Sequence, residues 1–129
     1  MRGSPQGRTS GEESISARAS EHTLLSLALN DEPSVQSALT VESEPGTGCA
    51  LDPRTVALVR LGVFVALDAA PASYGWSVDA ALAAGATADE IVATLIAVAP
   101  VVGIACVVAA APALASAIGY DIDSELERL

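Results

Sequence analysis

Lysine is missing from this chain of 129 residues, histidine occurs once, at His22, and cysteine twice, at Cys49 and Cys106. Six arginines stand against sixteen acidic residues, for a formal net charge of −10. That balance excludes the cationic footprint of a nucleic-acid binder and opposes anionic membrane surfaces. The two cysteines are too far apart in sequence to form a thiol relay or a metal-thiolate pair, and the one histidine precedes the main apolar region. The sequence therefore calls for no metal and no cofactor. There is no apolar N-terminal signal, so a reducing cytoplasm is expected rather than a secreted disulfide scaffold. The length suits one domain with a core of its own.

The apolar residues then set the organisation. Residues 1–20 are Gly, Ser, Arg and Glu with hardly an aliphatic side chain, which predicts disorder because little surface is available to offset the entropy of folding. From Glu21 a cluster of Leu24, Leu25, Leu27 and Leu29 precedes Asp31-Glu32-Pro33, and Val35, Leu39 and Val41 follow; one or two short helices lying on the main domain are expected. Glu42 to Gly48, with Pro45, Gly46 and Gly48, reads as a linker.

Residues 51–123 read as one compact, all-α domain. Asp52 is placed to cap a helix in which Pro53 is the first residue, where a missing N–H costs nothing. The run Val56, Leu58, Val59, Leu61, Val63, Phe64 and Leu67 is apolar nearly all round and predicts a helix buried on most sides, closed by Pro71. A second helix is expected from Ala72 to Ala84, with Gly85 as its C′ residue. Thr87-Ala88-Asp89-Glu90 is a capping box that starts a third at Ala88. This one should continue to Ala99, where Pro100 and Gly103 interrupt it. A fourth runs from Ile104 to Gly119, with a bend at Pro112. Residues 124–129 are expected to be a loose acidic tail.

From Ile91 to Ile118 no residue is charged, and the run exceeds the roughly 20 positions that cross a bilayer. A membrane protein spanning at 91–118 is thus one reading. Against it stand the prolines, the many alanines and the flanks, where Asp89, Glu90, Asp121 and Asp123 replace the usual basic anchors. A core or a subunit interface hides such a helix equally well.

Leu51-Asp52-Pro53-Arg54-Thr55 opening an apolar helix, then Ala81-Leu82-Ala83-Ala84-Gly85-Ala86-Thr87-Ala88-Asp89-Glu90-Ile91 and an aliphatic helix to Gly103, resembles the carboxymuconolactone decarboxylase family, which includes the alkylhydroperoxidase D-like proteins. The resemblance covers about Leu51 to Asp123. It implies a cytosolic all-α fold of the alkylhydroperoxidase D-like type that assembles into homo-oligomers, trimers or hexamers. Peroxidase-type relatives carry a Cys-x-x-Cys pair and a downstream His on the helix before the Ala-Gly-Ala-Thr turn; decarboxylase-type relatives keep a histidine there as acid or base. Here that stretch reads Pro71-Ala72-Ser73-Tyr74-Gly75-Trp76-Ser77-Val78, with neither residue type, and Ser77 or Val78 occupies the neighbourhood of the histidine.

The candidate catalytic residues are Tyr74, Asp79 and Asp68, beside Trp76, as acid–base groups for a small lactone, carboxylic acid or peroxide. The bland readings are a helix anchor for Tyr74 and Trp76, solvated positions for the two carboxylates and for His22, a core position for Cys106, an exposed linker thiol for Cys49, and a capping role for Glu90. Two functions follow: a catalytically silent family member with a binding or structural role in an oligomer, its partners a second copy or a small-molecule ligand, or an enzyme using this different set. Neither nucleic acid nor membrane is an expected partner.

Overall fold

A computed structural model describes residues 10–40 and 50–129. They fall into two units divided after Glu42. Residues 1–9 and the expected linker, with Val41 and Cys49, lie outside the described residues.

In the first unit, helix α1 (Ser10–Ala28) begins well before the expected start at Glu21, so residues 10–20 are helical rather than disordered. The reason is local. Between Glu12 and Glu32 there is neither glycine nor proline, Glu12 and Glu13 sit in the first turn where they complement the helix dipole, and a helix satisfies its own backbone without a core. Asn30, with φ 56°, ends it: the Asn30 N–H donates to the Leu27 carbonyl and the Asp31 N–H to that of Ser26, a Schellman closure. Asp31 then caps α2 (Glu32–Leu39) by accepting from the Ser34 N–H at 3.2 Å. Neither helix buries a residue, and Leu24, Leu25, Leu27, Leu29 and Leu39 are exposed.

In the second unit, α3 (Pro53–Ala66) starts where expected, with Asp52 accepting from the Thr55 N–H at 2.8 Å and its hydroxyl at 3.0 Å. These bonds hold the Asp52 carboxyl below the usual carboxylate range. The end of α3 departs from the reading of Pro71 as its stop. The helix closes earlier, with Asp68 in the left-handed region at φ 51°, the Ala69 N–H donating to the Phe64 carbonyl and the Asp68 N–H to that of Val65. Pro71 instead opens α4 (Pro71–Ala83), where its ring is already set for a helix and its missing donor is not needed.

Gly85, at φ 96°, is the C′ residue of α4. The capping box then opens α5 (Ala88–Val102): Thr87 Oγ1 accepts from the Glu90 N–H at 3.1 Å, and Glu90 Oε1 accepts from the Thr87 N–H at 3.3 Å. α5 runs past Pro100 to stop at Gly103, φ 88°. α6 (Ile104–Ile118) contains Pro112 and ends at Gly119, φ 101°. The uncharged run is therefore divided between two helices of 15 residues each, about 22 Å apiece against a hydrocarbon core of roughly 30 Å. No helix among the described residues is long and apolar enough to cross a membrane. The expected loose tail instead contains a short helix, α7 (Ile122–Glu127), begun by Asp121 accepting from the Ser124 N–H at 3.0 Å.

Helices α3 to α6 of this unit form a ring in which α3 touches α4 and α5, and α6 closes it by touching both. Arg54 lies opposite Glu90 and Gly62 opposite Val98, the same offset, so α3 and α5 run parallel. Leu61, Val65, Val78 and Ile91 fill the centre with Tyr74, Leu114 and several alanines. Thr87→Ala removes one side of the capping box and should cost about 1 kcal/mol in stability. Urea unfolding followed by circular dichroism measures this; an unchanged midpoint would show that the cap contributes nothing.

Candidate functional site

Tyr74, on the first turns of α4, is the candidate residue that the fold buries. It is 2% exposed, and its hydroxyl donates to the Phe64 carbonyl at 3.2 Å. That carbonyl already accepts the Ala69 N–H at 3.1 Å, so the phenol ties α4 to the closing turn of α3. Burial pushes the phenol above its ordinary range. Asp68 and Cys106 push it further the same way, because their anionic forms would repel a phenolate; the Ala69 backbone N–H works weakly against them. Tyr74 is thus a protonated donor with its proton already engaged.

Asp68 shares this neighbourhood but is exposed. Its conformation has a structural origin: it supplies the left-handed residue that stops α3, a position an aspartate tolerates better than most residues other than glycine. Asp79 does not join the other two. Five residues beyond Tyr74, it lies about 140° round α4, on the exposed side. Trp76 is 63% exposed. Ser77, in the expected neighbourhood of the relatives' histidine, is buried at 3% exposure. His22 is exposed on α1. Cys106 is half-buried against the core, and its position beside Tyr74 had no signal in the sequence, since α6 is brought to α4 only by the closure of the ring. No three of His, Cys, Asp or Glu cluster as a metal site among the described residues.

A larger concavity lies elsewhere. Between α3 and α5 an open groove of about 530 Å³ is walled by Leu58, Val59, Val63, Ala97, Val98 and Val101. At one end stand Arg54 and Glu90, paired at 3.6 Å and both partly exposed. Thr55 and Thr94 border the same groove, but their hydroxyls are engaged close by in sequence, donating to the Asp52 carboxylate at 3.0 Å and to the Glu90 carbonyl at 2.8 Å. Val59 and Val63 were read from sequence as part of a helix buried on most sides, yet both are about half exposed. Only the parallel pairing of α3 with α5 reveals that they face an open groove. A smaller recess of about 200 Å³ lies between α5 and α6, lined by Ile91, Leu95, Leu114, Ile118 and Tyr120 among others.

Two outcomes test these assignments. Asp68→Gly relieves the left-handed Cβ and removes a negative charge from the negative end of α3, so it should raise stability by about 1 kcal/mol. A loss of stability in thermal or urea unfolding would give Asp68 a contact that this geometry lacks. Tyr74 ionises at higher pH folded than its ordinary value of 10.0, so its contribution is complete below pH 10 and is lost as pH rises through the folded value. Tyr74→Phe should cost about 0.5–1.5 kcal/mol at neutral pH and flatten the alkaline fall in unfolding free energy. An equally steep fall in the variant would remove Tyr74 from that linkage.

Comparison with known proteins places this geometry. Among the curated proteins and the solved structures, none matches the chain. The profile of the carboxymuconolactone decarboxylase family matches residues 42–116, which hold α3, α4, α5 and most of α6. With more than half of its length covered by that match, the chain belongs to the carboxymuconolactone decarboxylase family.

Proposed function

We propose that this protein is a catalytically silent member of its family, with a binding or structural role in a cytoplasmic homo-oligomer. The observation that carries the reading is the state of α4. The stretch from Pro71 to Val78 offers no thiol and no imidazole, and its one acid–base side chain, Tyr74, is buried with its hydroxyl bonded to the Phe64 carbonyl. A general acid must reach its substrate and release its proton; this one is enclosed and engaged. The remaining candidates are separated, Asp68 at the end of α3 and Asp79 round the far side of α4.

A second reading, an enzyme acting on a small lactone, carboxylic acid or peroxide, draws on one observation: Asp68, Tyr74 and Cys106 lie close enough for their charges to interact. It requires α4 to move outward to expose the phenol.

The test is hydroperoxide and lactone turnover by the full chain, with a dithiol donor in the peroxide assay. No turnover above the protein-free rate is expected. Turnover that survives Cys49→Ser with Cys106→Ser but is abolished by Tyr74→Phe would establish the second reading. Turnover lost with the cysteines would overturn silence in favour of a thiol mechanism.

A further inference from the structure

We infer that the recess between α5 and α6 is a binding site for a small neutral aromatic molecule of one or two rings. The inference gives the binding role proposed above a place and a ligand class, and it rests on that part of the reading alone. The recess arises from an unequal division of side-chain size between two helices. Ile91, Val92 and Leu95 on the first turns of α5 meet the last turns of α6, so the helices run antiparallel there. On α6 the lining positions include Ala111 and Ala115, one turn apart on the same side. Leu114 and Ile118 keep the helices at the spacing of large side chains, and beside them the alanine methyl groups leave about 200 Å³ empty. Ile91, fully buried, and Leu114, 3% exposed, are the deepest of the lining residues, while Val92 at 41% and Tyr120 at 53% stand at the mouth. The backbone holds Tyr120 in that place: Gly119, at φ 101°, lets the Tyr120 N–H turn back to donate to the Ala115 carbonyl at 2.8 Å.

Charge, volume and the ring at the mouth select the occupant. No lining residue is charged, and Tyr120 alone among them has a polar side chain. A charged ligand would give up its hydration with nothing to pair with, whereas a neutral one loses little and gains apolar contact on several sides. The space exceeds the ~150 Å³ of an engineered apolar cavity that takes up benzene and falls short of the ~300 Å³ at which sites for drug-sized ligands begin. One ring or two fused rings match it; a long acyl chain does not. The Tyr120 ring favours an aromatic guest over an aliphatic one of equal size, by edge-to-face or offset packing. Tyr74, Asp68 and Cys106 take no part in the recess, so occupancy there requires no chemistry from α4.

Indole serves as the neutral two-ring probe, titrated into the full chain while the isoleucine and valine methyl groups are followed by NMR. Ring-current shifts should appear and saturate at Ile91 and Ile118, with Ile15 and Ile104 unmoved. Ala115→Leu and Ala111→Met each place carbon in the recess and should weaken binding by about tenfold, the loss of roughly two buried methylene groups, with helicity by circular dichroism unchanged. Either variant suffices if the other fails to fold. The indole-3-acetate anion, the same ring system with a charge, should not bind. Binding that ignores the filling variants, or shifts at Val59 and Val63 in place of Ile91 and Ile118, would overturn the recess as the site. Indole-3-acetate binding as tightly as indole would overturn the neutral class. No saturable shift at Ile91 or Ile118 up to the solubility of indole would overturn the inference and leave the silence of α4 intact, since the turnover assay reads that separately.

Discussion

At Gly62 the backbone of α3 lies so near α5 that an added Cβ would stand 3.0 Å from Val98 Cγ1 and 3.7 Å from Thr94 Cγ2. Real Cβ atoms rarely come as close as the first of these, so the parallel pairing of these two helices depends on a position with no side chain. Much of the domain is arranged around that approach. It aligns Arg54 with Glu90, leaves Val59, Val63 and Val101 as walls of an open groove, and directs Leu61 and Ile91 into the centre. The core can be this small because so many of its members are alanines, which let helices close to short distances where a few large side chains fill what remains.

The helix starts were legible because their chemistry is local. Asp52 before Pro53, and Thr87 with Glu90, satisfy orphan backbone donors within one turn, and Gly85 supplies a left-handed residue at no steric cost. The end of α3 was not legible, because an aspartate does the work that a glycine usually signals, and Pro71 reads equally well as the stop of one helix or the first residue of the next. The helix of residues 10–20 escaped a reading based on burial, since α1 forms without burying anything. The tail was misread for a similar reason: Asp121 and Ser124 set up a cap in a segment that composition marked only as acidic.

For the site, the sequence pointed to the segment from Pro71 to Val78 on α4 but not to its geometry. It brought Tyr74, Asp68 and Asp79 together as candidates by proximity along the chain. Folding separates Asp79 by its place on the helix, assigns Asp68 to a turn and encloses Tyr74. It brings up Cys106, distant in sequence, in their place. The groove between α3 and α5 had no sequence signature, because it is a property of how two helices pair and not of either alone. The stretch from Pro71 to Val78, which holds no thiol and no imidazole, instead supplies Tyr74 and Val78 to the core.

Gly103 has a consequence beyond the turn it makes. With φ at 88° it divides one uncharged stretch into two helices, each shorter than the apolar depth of a bilayer. Glycine is also the residue that could take helical angles at this point with little steric resistance. A few degrees of freedom at one backbone position thus stand between a hairpin that shares its apolar surface with protein and a continuous rod long enough for lipid. The local conformation of a single residue folds the uncharged stretch back on itself, with α5 against α6.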